Sequence, residues 1–203
     1  MDTAPRHRLP IAGEAPPERA DAARNRRRIL DAAARIVAEK GTDALTMNAV
    51  AHASGIGVGT VYRRFGDVAQ LLSALLDVRE REFQGQFLAG PPPLGPGAPA
   101  AERLRAFLHA LVDRTTEQHE ILLAAEVADP CAHYTSPPQR ARQTHVAMLI
   151  AELRPGVDAG ALAEFVLAPV SPSMLHHLIA DRGMGVAAIK STIDESLRLY
   201  GFG

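Results

Sequence analysis

Several groups of residues carry types that could do chemistry, and spacing separates them. Gly55-Ile-Gly-Val-Gly59 resembles a phosphate-cradling loop, but it lacks the G-x-G-x-x-G spacing and no strand pattern precedes it. His119-Glu120 opens an H-E-x-x-H pattern whose last position is Leu123, so the second histidine ligand is absent. His133, His145, His176 and His177, with Cys131, match no standard zinc spacing, and adjacent histidines on a helix point to different faces. They read better as surface or pocket-lining side chains, and Cys131 as a small apolar residue. Ser/His/Asp or Cys/His sets can be assembled on paper, but no spacing favours one. The sequence therefore predicts no enzyme, no metal site and no cofactor.

Charge is more telling. The net charge is −1. Residues 1–66 hold 11 Arg/Lys against 7 Asp/Glu (11 − 7 = +4), and residues 67–203 hold 11 against 16 (11 − 16 = −5). A basic head with an anionic partner, joined to an acidic body, fits this split.

The elements that must position any site are helical. Apolar residues make up 47% of the chain and aromatics only 4%, which suits a globular helical protein better than a sheet. A flexible arm is expected over residues 1–20, where Pro5, Pro10, Pro16 and Pro17 interrupt any periodicity. Ile29, Ala33, Ile36 and Val37 then share one helix face, with Gly41 as terminator. A short helix begins at Thr46, a favourable N-cap; Ser54-Gly55 turns the chain; a third helix covers about Val58 to Arg64. Asp67 caps a long fourth. Past the Pro91–Gly97 linker, five further helical stretches are expected. The eighth, through Leu162 and Ile179, is kinked at Pro169 and Pro172, and the ninth carries Val186 to Tyr200. About nine helices in an all-α chain follow. The domains are an N-terminal three-helix head (21–66) and a C-terminal ligand-binding and dimerisation body (67–203). One cysteine, no secretory signal pattern and no apolar run near the ~20 residues of a membrane span point to a cytoplasmic protein without membrane contact.

Two short helices joined by a glycine turn describe a helix-turn-helix. Val50, Ala51, Ile56, Val61 and Phe65 can pack inward, leaving the outer face of the second helix free for a DNA major groove. The small residues Ala49, Ala51 and Ala53 allow close approach, and Gly55 suits the positive φ of the turn.

The segment Thr46-Met-Asn-Ala-Val-Ala-His-Ala-Ser-Gly-Ile-Gly-Val-Gly-Thr-Val-Tyr-Arg-Arg-Phe65 resembles the signature of TetR-type transcriptional regulators. Arg28-Ile-Leu-Asp-Ala-Ala-Ala-Arg-Ile-Val37 with Gly41 is similar to that family's first helix, and the likeness covers about Arg24 to Leu76. The resemblance implies that Thr46, Thr60 and Tyr62 bind backbone phosphates, that Gly57, Val58 and Arg63 approach base edges, and that Arg24, Arg26 and Arg27 add phosphate contacts. A valine there suits a thymine methyl, and an arginine suits guanine or phosphate. Val68 replaces a common lysine and Arg64 a common histidine, so Arg64 is a candidate substitute contact.

The resemblance further implies a homodimer on a palindromic operator of double-stranded DNA, repression, and release by a small-molecule effector. Its dimer residues would come from the last two helices: Leu175, Leu178, Ile179, Val186, Ile189, Ile193, Leu197 and Tyr200. Pocket candidates on the inward faces of helices five to eight are Phe107, Leu111, Leu122, His145, Met148, Leu149, Phe165 and Met174. The competing readings are an all-α interaction or ligand-binding protein without DNA binding, and an enzyme, which would need a constellation the sequence lacks.

Overall fold

The computed structural model describes residues 17–128 and 136–202, and among them every regular element is helical. The expectations for Cys131 and His133, and for the arm over residues 1–16, lie outside the described residues. The helices are α1 (Pro17–Lys40), α2 (Met47–Ser54), α3 (Val58–Phe65), α4 (Val68–Ala89), α5 (Ala100–Glu117), α6 (His119–Ala128), α7 (Pro137–Leu153), α8 (Ala159–Leu167), α9 (Pro172–His176) and α10 (Val186–Leu199). The first helix begins at Pro17, inside the expected arm; Pro is tolerated in a first turn because its missing N–H has no intrahelical acceptor there.

The chain forms two compact units, residues 1–75 and 76–203, with α4 contributing to both. In the first unit α1 packs on α2, and α2 on α3. The shared core is Ile29, Leu30, Ala32, Ala33, Met47, Val50, Val61 and Phe65.

In the second unit α5 is central, touching α6, α7, α9 and α10, while α7 packs along α8. Leu104, Phe107, Leu108, Leu111 and Val112 line its buried stripe. Polar ties on its other side fix α10. Arg105 grips Asp194 through Nε and Nη2 at 2.8 and 2.7 Å, His109 Nε2 lies 2.8 Å from the same carboxylate, and Lys190 meets Asp113 at 2.6 Å. The Arg105 hydrogen bond holds the Asp194 carboxyl below its ordinary range, against the opposing effect of burial.

The expected kinked eighth helix is in fact broken. After α8 come a 3₁₀ turn at Ala168–Val170, then α9, then a π turn at His177–Asp181. Pro169 and Pro172 remove two amide donors, and Ser171 restarts the helix by accepting from the Met174 N–H at 3.3 Å. By length and composition alone the 23-residue stretch Ala159–Asp181, which holds an 18-residue window of mean hydropathy 1.2, would also pass for a membrane span. It contains these breaks and shares its apolar side chains Ala163, Val166, Leu167 and Leu175 with the unit's core.

Candidate nucleic-acid interface

The turn between α2 and α3 is built from short-range rules. Thr46 Oγ1 accepts from the Ala49 N–H at 3.1 Å and caps α2. Gly55 ends α2 at φ +65°, where its N–H reaches the Ala51 and His52 carbonyls and the Ile56 N–H reaches Ala51 at 3.2 Å. Gly57 then starts α3, with the Thr60 N–H on its carbonyl at 2.8 Å.

α3 has two unlike faces. Val61 and Phe65 are buried, 0% and 4% exposed, while Val58 and Tyr62 are 40% and 51% exposed. Gly57, Arg63 and Arg64 are exposed and Thr60 is half-buried. A β-carbon built at Gly57 or Gly59 would meet nothing within 4 Å, so packing within the chain does not require glycine there. The outer face of α3 is therefore a shallow surface of small, hydroxyl and cationic groups. Arg63 Nη2 donates to Thr60 Oγ1 at 3.3 Å, placing a guanidinium and a hydroxyl side by side.

The other arginines divide by role. Arg27 is exposed; Arg24 is exposed and paired with Asp21. Arg26 is half-buried, with its guanidinium 5.2 Å from the Phe65 ring centre. Arg64 donates to the Ala22 carbonyl and so ties α3 to α1. Arg28 was not among the expected site residues, yet its Nη2 donates to the Ser54 carbonyl at 2.7 Å. There it meets the negative end of α2, directly before the turn. Only its place on a helix beside the motif hinted at this, since its acceptor lies 26 residues away.

Residues 29–75 match the family model described as bacterial regulatory proteins, tetR family. The head thus carries a TetR-type domain. The chain is 26% identical over 118 residues to the HTH-type transcriptional regulator AcrR of Shigella flexneri, covering 55% of this chain and 51% of that one. It thus spans about half the length of that relative or less of others. The fold as a whole is similar to a TetR-family transcriptional regulator from Pectobacterium atrosepticum, with TM-score 0.68, 22% identity, and 90% and 94% of the two chains covered. It is similar also to the regulator FadR of Bacillus subtilis in complex with stearoyl-CoA, with TM-score 0.61, 15% identity, and coverage of 83% and 95%.

The residues expected in a pocket or dimer interface fall differently. Phe107, Leu111, Leu149 and His145 are core, and Leu122 is half-buried. Met148, Phe165 and Met174 instead face outward, 67%, 68% and 43% exposed, so the eight do not converge on one cavity. Met148 lines an open groove between α7 and α8 with Ala147 and Ala151. Phe165 lines another, of about 350 Å³, with Pro169, Ile193 and Tyr200. Conversely Leu175, Ile189, Ile193 and Leu197 belong to the chain's own core, and Leu178, Ile179 and Val186 are partly buried against it. The apolar stripe of α10 meets α5, and that is why it is apolar. Tyr200 stays exposed and is joined by Leu199 at 84%. His145 lies between the Phe87 and Phe107 rings, at 4.6 and 4.9 Å, and burial first, then Arg103, lowers its pKa to about 4.

Proposed function

We propose that this chain is a DNA-binding transcriptional repressor that acts as a homodimer on a palindromic operator and releases it when a small effector binds residues 76–203. The observation that carries the reading is the two-faced α3, anchored by Val61 and Phe65 and open along Gly57, Val58, Tyr62 and Arg63, within a domain that matches the TetR family. A helix of this kind enters a major groove by its exposed face. Tyr62 and Thr60 suit phosphate oxygens, Arg63 a guanine edge or phosphate, and Val58 a thymine methyl. Arg24 and Arg27 extend the cationic side, Thr46 holds the first helix of the motif, and Arg26 and Arg64 support the packing of α3.

A single head of this size reads few base pairs, and a second copy supplies the second half-site, about 34–36 Å away on the duplex. Support for self-association is the outward apolar set Phe165, Met174, Leu199 and Tyr200, which a copy of the same surface would cover. The effector reading is supported by FadR of Bacillus subtilis, a protein of the same fold whose structure holds stearoyl-CoA. Such a protein works in the cytoplasm, beside the chromosome.

Selection of bound sequences from random duplexes tests the reading. The expected product is an inverted repeat with half-site centres one helical turn apart. Recovery of no enriched sequence, with no salt-sensitive binding, favours an all-α protein without DNA. Sedimentation of the chain alone, with Phe165→Glu as comparison, tests the dimer: the wild type should sediment as a dimer and the variant as a monomer.

A further inference from the structure

The second unit contains a charge cluster that DNA binding does not use. Glu80 on α4 is buried, and its Oε2 accepts from Nη2 of Arg114 on α5 at 2.8 Å and from Nη2 of Arg142 on α7. Its Oε1 accepts from Gln84 Nε2 at 3.0 Å. One carboxylate thus faces two guanidiniums and a side-chain amide. The Arg114 side chain is only 8% exposed, yet its Nε and Nη1 have no hydrogen-bond partner among the described residues; neither has Arg142 Nε. On the rim of the same core, Arg103 Nε and His145 Nε2 are also unpartnered.

Two guanidiniums clamping one carboxylate is also a structural motif, so the excess decides. Buried N–H groups are nearly always paired, and a buried charge is costly unless compensated. Burial, and next the neighbouring Arg142, lower the Arg114 pKa to about 10, which still leaves it protonated at neutral pH. An aromatic cluster lies beside Arg114. Arg114 lies 5.7 Å from the Phe83 ring centre, and Phe83, Phe87 and Phe107 pack edge-on or tilted at 5.1–5.5 Å. The missing component is one negative charge with several acceptor lone pairs, in an aromatic setting that a fully hydrated inorganic ion does not suit. Arg142, at 13% exposed, is the more open of the two.

We propose that Arg114 and Arg142 form the acid-binding end of an effector site within residues 76–203, taking the carboxylate of a small organic acid with an apolar body. This rests on the effector reading above and names the chemical class of the effector. Glu80 then competes with the ligand for the two guanidiniums and leaves one positive charge unmatched.

The test is calorimetric titration of the full chain with sodium octanoate, sodium benzoate and the neutral octanamide at constant ionic strength. Octanoate should bind, with octanamide weaker by about tenfold or more. Arg142→Gln should weaken octanoate by a similar factor without changing octanamide, and Glu80→Gln should strengthen octanoate by removing the competing carboxylate. Should Arg142→Gln fail to fold, the wild-type octanoate-to-octanamide ratio and Glu80→Gln decide. Equal affinity for acid and amide, no binding of either acid up to about 10 mM, or indifference to both substitutions would overturn the proposal. Octanoate binding that leaves DNA affinity unchanged supports the acid site and removes only the release step. DNA release by octanamide as effective as by octanoate retains release and overturns the acid site.

Discussion

The two units keep these cations in opposite places. In the head, Arg27 and Arg63 are exposed, and the buried positions of α3 are the apolar Val61 and Phe65. In the body, Arg114 and Arg142 are withdrawn from solvent and share one carboxylate. Exposed cations suit a large polyanion arriving from outside, and their effect fades as salt screens them. Buried cations respond only to an anion that enters, and bulk salt reaches them weakly. One chain can thus carry two anion sites that are told apart by salt dependence.

The largest effect that would break this contrast is loss of the head's apolar anchor. Phe65→Ala removes a buried ring and the surface beneath Arg26, and should destabilise residues 1–75 by about 3–5 kcal/mol. Denaturant unfolding followed by a probe in each unit should show the loss confined to the head; an equal loss in both would dissolve the distinction.

The body's counterpart is a pH effect. His145 has a folded pKa of about 4 against an ordinary 6.5. Its neutral form is favoured by folding, so the stabilisation is complete above about pH 6.5 and is lost as pH falls towards 4, by on the order of 2–3 kcal/mol. His145→Phe should flatten that part of the stability profile. A profile unchanged by the substitution would show that His145 does not titrate as its buried place between two phenyl rings requires.

Smaller effects sharpen the account of the head. Thr46→Ala deletes the cap on Ala49 and should cost about 1 kcal/mol of head stability. Gly59→Ala has the opposite sign. The glycine lies within α3, where alanine is favoured by about 1 kcal/mol, and its β-carbon would meet only open space. Thermal stability should rise while DNA affinity falls, because the added methyl stands on the face offered to the duplex. Unchanged DNA affinity would move the contact surface away from Gly59.

The head was legible because its determinants are local. Thr46 caps Ala49 three residues on, Gly55 takes the αL conformation that ends α2, and Val61 and Phe65 lie one helical turn apart. Arg28 escaped notice because its partner is 26 residues distant, and the Arg142–Glu80 pair is separated by 62. Periodicity shows which face of a helix is apolar but not what covers it. Ile189, Ile193 and Leu197, expected against a second copy, are covered by the chain's own helices, while Phe165 and Met174, expected inside, face out. Neighbouring Phe165 and Val166 show how narrow the margin is: about 100° around one helix separates an exposed ring from a buried side chain. The break at Pro169 and Pro172 was visible as a disturbance, but its extent depended on the Ser171 cap.

The central claim is that the open face of α3 binds duplex DNA, and the salt dependence of binding tests it most directly. Full-length protein titrated with a selected duplex across a series of potassium chloride concentrations should give a steep negative slope of log affinity against log salt, with Arg63→Ala reducing its magnitude by about one and Tyr62→Phe weakening binding. A flat slope, or binding indifferent to both substitutions, would contradict the account.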